Sequence, residues 1–307
     1  MGVTIKLHAI LSWEEYLTEF ATIKRINGLR ERTITDYKKN IYRFFKKYPN
    51  GLDNYQYLCH CVFEYFSVLN ISPATFNIWR AYLKAFFSYL VQEGVIPKNP
   101  IDFPKRKDEG KARNVSQEIL IELLKLPDKK TFAGLRDYCL ILLTLDTGIR
   151  PQEALSLLPK DINLPGLEVT IRKEIAKTKA TRTVPISPLT ATHIQKLLKV
   201  RLSTWHENIP VFCSYEGKTM LETSWAHRLK KYSQQIGHSI TPYSWRHSFA
   251  LLYLRNGGNV FTLQRTMGHA DLNMTKRYLA LTGEDLKKEH ELASPVNLFN
   301  RKRLKNL

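Results

Sequence analysis

Four residues between positions 150 and 278 of this sequence have the types and the spacing that a phosphoryl-transfer site requires. They are Arg150, Arg246, His269 and Tyr278, and His269 follows Arg246 by twenty-three residues and precedes Tyr278 by nine. Each guanidinium is a planar fork that matches the oxygens of a phosphate, so two arginines can hold one phosphodiester. A tyrosine hydroxyl can attack the phosphorus while a nearby histidine donates a hydrogen bond. The pattern therefore indicates transfer of a phosphoryl group to a tyrosine.

The segments around these residues resemble the tyrosine recombinase family, also called the phage integrase family. Arg150 lies in Thr147-Gly-Ile-Arg-Pro-Gln-Glu153. The segment Met267-Gly-His-Ala-Asp-Leu-Asn-Met-Thr-Lys-Arg-Tyr278 has a Gly-His pair and then a threonine three residues before the tyrosine. The resemblance covers a catalytic domain after residue 114 and a helical DNA-binding domain before it. It implies a site-specific enzyme that cleaves and rejoins DNA through a 3′-phosphotyrosine, in integration, excision or resolution.

The resemblance also implies a role for each of the four residues. Arg150 is the first catalytic arginine, and Arg246 is the second clamp on the phosphate. His269 contacts the scissile phosphate, and Tyr278 is the nucleophile. Glu153 stands three residues after Arg150 and can reach back to orient its guanidinium, although a surface Arg–Glu pair of little energetic value is the common alternative.

A lysine between two predicted strands is the candidate general acid. Breaking a phosphodiester requires a proton for the departing 5′ oxygen, and an ammonium group can supply it. Lys177 and Lys179 both lie in this turn. The family places its hairpin lysine eight residues before a proline of the second strand, and Lys177 has that offset to Pro185. The resemblance therefore implies Lys177 as the general acid, with Lys179 as the alternate.

One position departs from the family's His-x-x-Arg motif, because the residue three before Arg246 is Tyr243. A tyrosine can hydrogen-bond a phosphate oxygen, but a pKa of about 10 makes it a poor proton shuttle near neutral pH. His247 does not simply replace the missing histidine, because it is adjacent to Arg246 and neighbours on a helix point about 100° apart. We predict that Tyr243 occupies the place of the histidine. The enzyme could then cleave DNA more slowly than relatives that have the histidine, or it could be catalytically inactive.

Composition points to a polyanionic partner. The chain has 47 Lys and Arg against 28 Asp and Glu, a net charge of +19 spread along its length. A globular protein this basic usually binds nucleic acid, so we predict double-stranded DNA as the partner, a merely basic protein being the alternative. The sequence contains no run of about 18 apolar residues and no signal-peptide core, so we predict a cytoplasmic protein that does not enter a membrane.

We predict no metal and no cofactor for the reaction. Arginines supply the charge neutralisation that Mg²⁺ often provides in phosphoryl transfer, and the sequence offers no carboxylate cluster suited to two metals. The closely spaced Cys59-His60-Cys61 lacks a second pair at zinc-finger spacing. The four cysteines therefore suit free thiols in a reducing compartment.

The length of 307 residues predicts two domains. Residues 1–96 carry amphipathic helices with basic faces. Ser12 and Glu15 can form a capping box at the start of one helix, Ser72-Pro73 begins another, and Arg80 is expected off the apolar stripe of the latter. Residues 97–114 form a basic linker because their prolines exclude a helix. Residues 115–307 form the catalytic domain, in which 167–172 and 181–186 alternate as strands of a small antiparallel sheet. The predicted fold is therefore mainly α with one small antiparallel β-sheet, in the α+β class.

The resemblance implies an assembly as well. A helical core-binding domain and the catalytic domain wrap duplex DNA as a C-shaped clamp. The C-terminal segment from Thr282 docks on a neighbouring protomer in a homo-tetramer on DNA, with docking in cis or fraying as the alternative. For the first domain, an ordinary helical bundle with solvated charges is the competing interpretation.

Three functions remain open on the sequence. A site-specific tyrosine recombinase is favoured by the full set of catalytic residue types. A DNA-binding relative without catalysis is motivated by Tyr243. A type IB topoisomerase would use the same chemistry without a preferred site, and it would relax any supercoiled plasmid.

Overall fold

The computed structural model describes residues 11–107 and 115–276, together with Tyr278, Lys287, residues 290–291 and residues 294–297. Contacts along the chain divide it into two compact units, residues 1–109 and 110–307. Most of the C-terminal segment from Thr282 onward, for which docking was predicted, lies outside the described residues. Within the described ranges, no helix is both long and apolar enough to cross a membrane.

The first unit is helical wherever it is described. Its helices are Trp13–Ile26 (α1), Glu31–Lys47 (α2), Tyr55–Ser67 (α3) and Pro73–Gln92 (α4). Ser12 and Glu15 form the predicted capping box at the start of α1, which satisfies amide groups that the first turn leaves unpaired. Ser72 accepts a hydrogen bond from the Thr75 amide, and Pro73 follows at the first helical position, as predicted.

The apolar side of α2 forms part of the core of this unit. Ile34, Ile41, Phe44 and Phe45 are all buried, at the spacing of a single helical face. The basic side chains of α2 are exposed: Lys38, Lys39, Arg43, Lys46 and Lys47. The sequence-based assignment of an amphipathic helix with a basic face is therefore confirmed for α2.

The structure corrects the placement of Arg80. We expected this residue off the apolar stripe of α4, yet it is buried and donates from Nε to the Phe103 carbonyl at 2.9 Å. Asn77 pairs with the Arg106 backbone in both directions, and Ile101 is buried in the same core. The first part of the predicted linker, residues 97–107, thus packs on α4, and the structured part of this unit extends past residue 96.

The second unit combines helices with one antiparallel sheet. Its elements in chain order are α5 (Gln117–Lys125), α6 (Phe132–Thr147), α7 (Pro151–Leu155), a 3₁₀ turn (Pro159–Asp161), β1 (Ile162–Asn163), β2 (Glu168–Ile171), β3 (Arg182–Pro185), α8 (Pro188–Lys199), α9 (Glu222–Gln235), α10 (Pro242–Arg255), α11 (Val260–Met267) and α12 (Asn273–Lys276). The mainly α fold with a small antiparallel sheet is confirmed.

The sheet has the order β1-β2-β3, with Val169 of β2 paired to Ile162 on one side and to Val184 on the other. Strands β2 and β3 are the predicted pair, and β1 adds a two-residue edge that the sequence pattern did not predict. Val169 and Val184 are buried in the same hydrophobic core as the apolar residues of α6. The hairpin between β2 and β3 is thus fixed to the helices of this unit.

Two glycines end the helices that lead into the predicted site. Gly148 follows α6 with φ of 60° and Gly268 follows α11 with φ of 63°, both in the left-handed region that glycine tolerates best. A Cβ at Gly148 would collide with the Phe249 ring of α10, and one at Gly268 would lie 2.8 Å from Cζ of Arg182. Glycine at both positions therefore permits close packing around each helix end.

We predict that Gly148→Ala destabilises the protein by about 3 kcal/mol or more, because left-handed strain adds to overpacking against the Phe249 ring. Gly257→Ala is the matched control. Gly257 also has a positive φ, of 81°, but no atom lies within 4 Å of a Cβ built there. The control is expected to lose only about 1 kcal/mol. Urea unfolding of both variants measures the difference, and equal losses would contradict the packing argument.

Candidate active site

Arg150 is held where α6 ends and α7 begins. Its backbone is extended, and Pro151 starts α7 at the next position, so local structure fixes where the side chain emerges. Arg150 Nη1 lies 3.2 Å from Glu153 Oε1, and the two side chains are 9% and 2% exposed. The predicted contact therefore exists, and it is a buried ion pair, not the solvent-exposed pair that was the common alternative.

Glu153 binds two further groups besides Arg150. Arg182 of β3 approaches Glu153 Oε2 at 2.5 Å through Nη2, and the Lys177 amide donates to Oε1 at 3.1 Å. Arg182 also donates from Nε to the Thr266 carbonyl of α11 at 3.2 Å. The Glu153 carboxylate therefore links the start of α7 to the β2–β3 hairpin. Arg182 in turn links the hairpin to the end of α11.

The pKa of Glu153 is governed by opposing effects. Burial raises it, but the hydrogen bond and charge of Arg182, the Lys177 amide and the charge of Arg150 together lower it below its ordinary value of 4.5. Glu153 is therefore a carboxylate at neutral pH. Its negative charge offsets part of the positive charge that the arginines bring into the interior.

Arg246, in the first turns of α10, meets Arg150 at the end of α11. Arg246 Nη2 donates to the Met267 carbonyl at 2.7 Å, and Arg150 Nη1 donates to the same oxygen at 3.2 Å. Arg150 Nη2 also donates to the Gly268 carbonyl at 2.7 Å, and Arg246 Nη1 to the Gly148 carbonyl. The negative ends of α6 and α11 therefore orient two buried guanidiniums side by side.

The pKa of Arg246 is lowered by its buried position and by the neighbouring Arg150. Burial lowers the pKa of Arg246 to about 9, and the neighbouring charge of Arg150 acts in the same direction. At neutral pH the group is still a cation. Two cations held together in a place with little water form a strong site for an anion, and a phosphodiester has the matching charge and shape.

The hairpin places Lys177 and Lys179 differently. Ala176 is fully buried and the Lys177 amide is bonded to Glu153, so the backbone that carries the Lys177 side chain is fixed next to Arg150. Lys179 lies two residues further along the turn with a positive φ of 54°. Both side chains are exposed. The Lys179 amide is bonded within the turn, to the Ala176 carbonyl at 3.2 Å, whereas the Lys177 amide is bonded to Glu153.

His269 and Tyr278 are linked through Thr275. His269 Nδ1 lies 2.8 Å from Thr275 Oγ1, and Thr275 is fully buried. The Tyr278 amide donates to the Thr275 carbonyl at 2.9 Å, and Tyr278 itself is 5% exposed. The threonine that stands three residues before the tyrosine in the sequence motif therefore connects the histidine to the segment of the predicted nucleophile.

Two residues at the site were not predicted from the sequence. One is Arg182, whose partner Glu153 lies 29 residues away along the chain. The other is His247, whose Nδ1 lies 2.6 Å from the hydroxyl of Tyr278. Tyr243, which was expected in the place of the missing histidine, is 47% exposed in the first turn of α10. The predicted residues thus meet around Met267, Glu153 and Thr275, while the tyrosine hydroxyl contacts His247.

No group of three or more His, Cys, Asp and Glu side chains able to hold a metal ion occurs among the residues that the structure describes. The four cysteines are free thiols, and burial raises the pKa of Cys139 to about 12.

Residues 113–284 match the sequence profile of the Phage integrase family. Tyrosine recombinase XerA of Pyrococcus furiosus is 30% identical over 288 residues, which span 91% of this chain and 94% of that protein. Tyrosine recombinase XerD of Listeria monocytogenes is 27% identical over 301 residues, which span 92% of this chain and 98% of the relative. The similarity therefore extends over nearly the whole of each protein.

Solved structures share the fold. The Tn1549 transposon integrase in complex with a circular intermediate DNA matches with a TM-score of 0.73 at 19% identity, covering 91% of this chain and 99% of that one. The XerH site-specific recombinase bound to its difH substrate matches with a TM-score of 0.60 at 25% identity, covering 77% and 70%. The arrangement of helices around the small sheet is therefore one that DNA-bound recombinases use.

We predict that Glu153→Gln lowers the free energy of unfolding at pH 7 by about 3–5 kcal/mol, because loss of the carboxylate leaves buried guanidiniums uncompensated. The pKa of Glu153 is lowered in the folded state, so its stabilisation is fully present above the ordinary value of 4.5 and is lost as pH falls through the lower folded pKa. The difference in the free energy of unfolding between Glu153→Gln and wild type is therefore expected to become smaller at acidic pH. Urea unfolding at several pH values measures both effects.

Glu168→Gln is the matched control, since Glu168 is exposed on β2 of the same unit. It is expected to change stability by no more than about 0.5 kcal/mol. A Glu153→Gln variant as stable as this control would show that the carboxylate is not the group that compensates the arginines.

Proposed function

We propose that this chain, which belongs to the phage integrase family, cleaves DNA at a specific site with Tyr278 and rejoins it to a new partner strand. The chain is a tyrosine recombinase, an enzyme that breaks and rejoins DNA strands. The observation that carries the assignment of the site is the convergence of Arg150 and Arg246 on the Met267 carbonyl. That geometry aims two guanidiniums at one place, beside the segment that bears His269 and Tyr278.

In the proposed reaction, Arg150 and Arg246 bind the non-bridging oxygens of the scissile phosphate and stabilise the charge that develops on them. Tyr278 Oη attacks phosphorus, and the bond to the 5′ oxygen breaks. Lys177 donates the proton that the departing 5′ oxygen requires. The products are a 3′-phosphotyrosine and a free 5′ hydroxyl, and attack by another 5′ hydroxyl reverses the step without ATP because the ester keeps the bond energy.

His269 fits the role of a phosphate ligand. Its Nδ1 is engaged with the Thr275 hydroxyl, and if that hydroxyl donates, the ring proton lies on Nε2. An Nε2–H group can then donate to a phosphate oxygen. Tyr243 fits a supporting role as a hydroxyl donor at the rim, because its exposed side chain stands one turn before Arg246.

We further propose that the DNA is double-stranded and that four copies of the chain assemble on it. The solved XerH and Tn1549 integrase structures contain DNA, which supports this partner. The net charge of +19 and the exposed basic side of α2 suit a duplex backbone. The free thiols suit a cytoplasmic location.

Two alternatives remain distinct in their predictions. A DNA-binding relative without catalysis would bind duplex DNA and form no covalent adduct, and the departure at Tyr243 is its only support. A type IB topoisomerase would relax any supercoiled plasmid. Relatives named as tyrosine recombinases over more than nine-tenths of the chain favour recombination at a defined site.

We predict that wild-type protein forms a covalent adduct with a nicked suicide duplex and that Tyr278→Phe forms none, because the ester requires the phenolic oxygen. The duplexes come from a pool with randomised sequence around the nick, and adducts are separated on a denaturing gel. Tyr253→Phe is the matched control and should form adducts as wild type does. Binding without any adduct would favour the non-catalytic alternative.

We predict that Lys177→Ala slows cleavage by about 10²–10⁴-fold, the usual contribution of a general acid, whereas Lys179→Ala stays within a few-fold of wild type. A duplex with sulfur in place of the 5′ bridging oxygen should restore cleavage by Lys177→Ala, because a thiolate leaves without a proton. Single-turnover rates of adduct formation measure both. A large loss in Lys179→Ala alone would transfer the role to that residue.

A further inference from the structure

The hydroxyl of Tyr278 contacts a residue of α10 that has no role in the reaction described so far. His247 Nδ1 lies 2.6 Å from Tyr278 Oη, and the ring centroids are 5.6 Å apart at an angle of 48°. Tyr278 is 5% exposed, and His247 is half-buried. A contact this short between a phenol and an imidazole nitrogen, with little access for water, is a strong hydrogen bond.

The position of His247 on α10 explains how it can reach the nucleophile. Residues 243 and 247 are four apart on one helix, so they share a face and follow one another by about one turn. Tyr243 is at the exposed end of that face, and His247 is one turn deeper. The 100° angle between His247 and Arg246 therefore does not keep the imidazole from the site, because it directs the ring toward Tyr278 instead.

The charge next to this pair suits ionisation of the phenol. Arg246 is adjacent to His247 in the chain, and a negative charge on Tyr278 favours the cationic form of Arg246. By the same interaction, the guanidinium stabilises a phenolate at Tyr278. An attacking tyrosine thus has a cation close by and an imidazole nitrogen directly on its hydroxyl.

We propose that His247 is a catalytic residue that takes the hydroxyl proton of Tyr278 during cleavage. This role rests on the proposed function of Tyr278 as nucleophile. The neutral ring, with its proton on Nε2, accepts the Oη proton at Nδ1 as the bond from Oη to phosphorus forms. The bond from phosphorus to the 5′ oxygen breaks, and that oxygen is protonated by Lys177. Ligation runs the same transfers backward, and His247 returns the proton to Tyr278.

The test compares His247→Ala and His247→Asn with wild type on a nicked duplex selected from the random pool by its adduct with wild-type protein. Both variants are expected to cleave about 10²–10⁴-fold more slowly, because an asparagine oxygen can accept a hydrogen bond but cannot take the proton. His238→Ala, an exposed histidine outside the site, is the matched control and should cleave normally. A gel shift on the same duplex verifies that each variant folds and binds DNA.

A fluorinated tyrosine at position 278 separates proton transfer from positioning. Fluorine lowers the pKa of a phenol, so the nucleophile ionises without a base, and the loss caused by His247→Ala is expected to shrink to less than about tenfold. Sulfur at the 5′ bridging position should leave the His247→Ala defect unchanged, although it restores Lys177→Ala. These substitutions act at opposite ends of the reaction, so their effects are independent.

Three results would overturn the role of His247. The first is that His247→Asn cleaves within a few-fold of the wild-type rate. The second is that the rate defect of His247→Ala stays as large when position 278 carries fluorotyrosine. The third is that sulfur at the 5′ bridging position restores cleavage by His247→Ala. A wild-type protein that forms no adduct with any duplex would contradict the proposed function itself, and the role of His247 with it. A rate that does not depend on residue 247 contradicts this role alone.

Discussion

Buried positive charge is the constraint on which the rest of the catalytic unit depends. Arg150, Arg182 and Arg246 lie near one another with Glu153 as their carboxylate partner, and burial lowers the pKa of Arg246. The remaining charge is balanced by dipoles: the carbonyls at the ends of α6 and α11 accept hydrogen bonds from Arg150 and Arg246. Excess buried positive charge of this kind costs stability, and a bound anion would offset that cost.

The same contacts bring distant parts of the chain into register. Glu153 joins the helix after Arg150 to the β2–β3 hairpin, and Arg182 joins that hairpin to the end of α11. The backbone of Lys177 is held by Glu153, while its side chain is exposed. The electrostatic pairs therefore fix the backbone of the hairpin and leave the Lys177 side chain in solvent.

Much of this could be predicted from the sequence because the relevant signals are local. The burial of Ile41 and Phe44, the capping box at Ser12 and the Arg150–Glu153 pair all depend on residues within one or two turns. The contacts of Arg80, Arg182 and His247 depend on partners 23, 29 and 31 residues away, and no local periodicity encodes them. Arg80 is the clearest case, since its polar type suggested solvent while its partner is a backbone carbonyl.

The acceptor that Arg150 and Arg246 share is the carbonyl oxygen of Met267. It is a main-chain atom, and every residue type that can occupy position 267 supplies the same oxygen. A substitution there changes the buried side chain and so affects packing, but it cannot delete the acceptor that aligns the two guanidiniums. The alignment is therefore encoded by the path of the backbone at the end of α11, and it is shielded from most single-codon changes in a way that no side-chain acceptor could be.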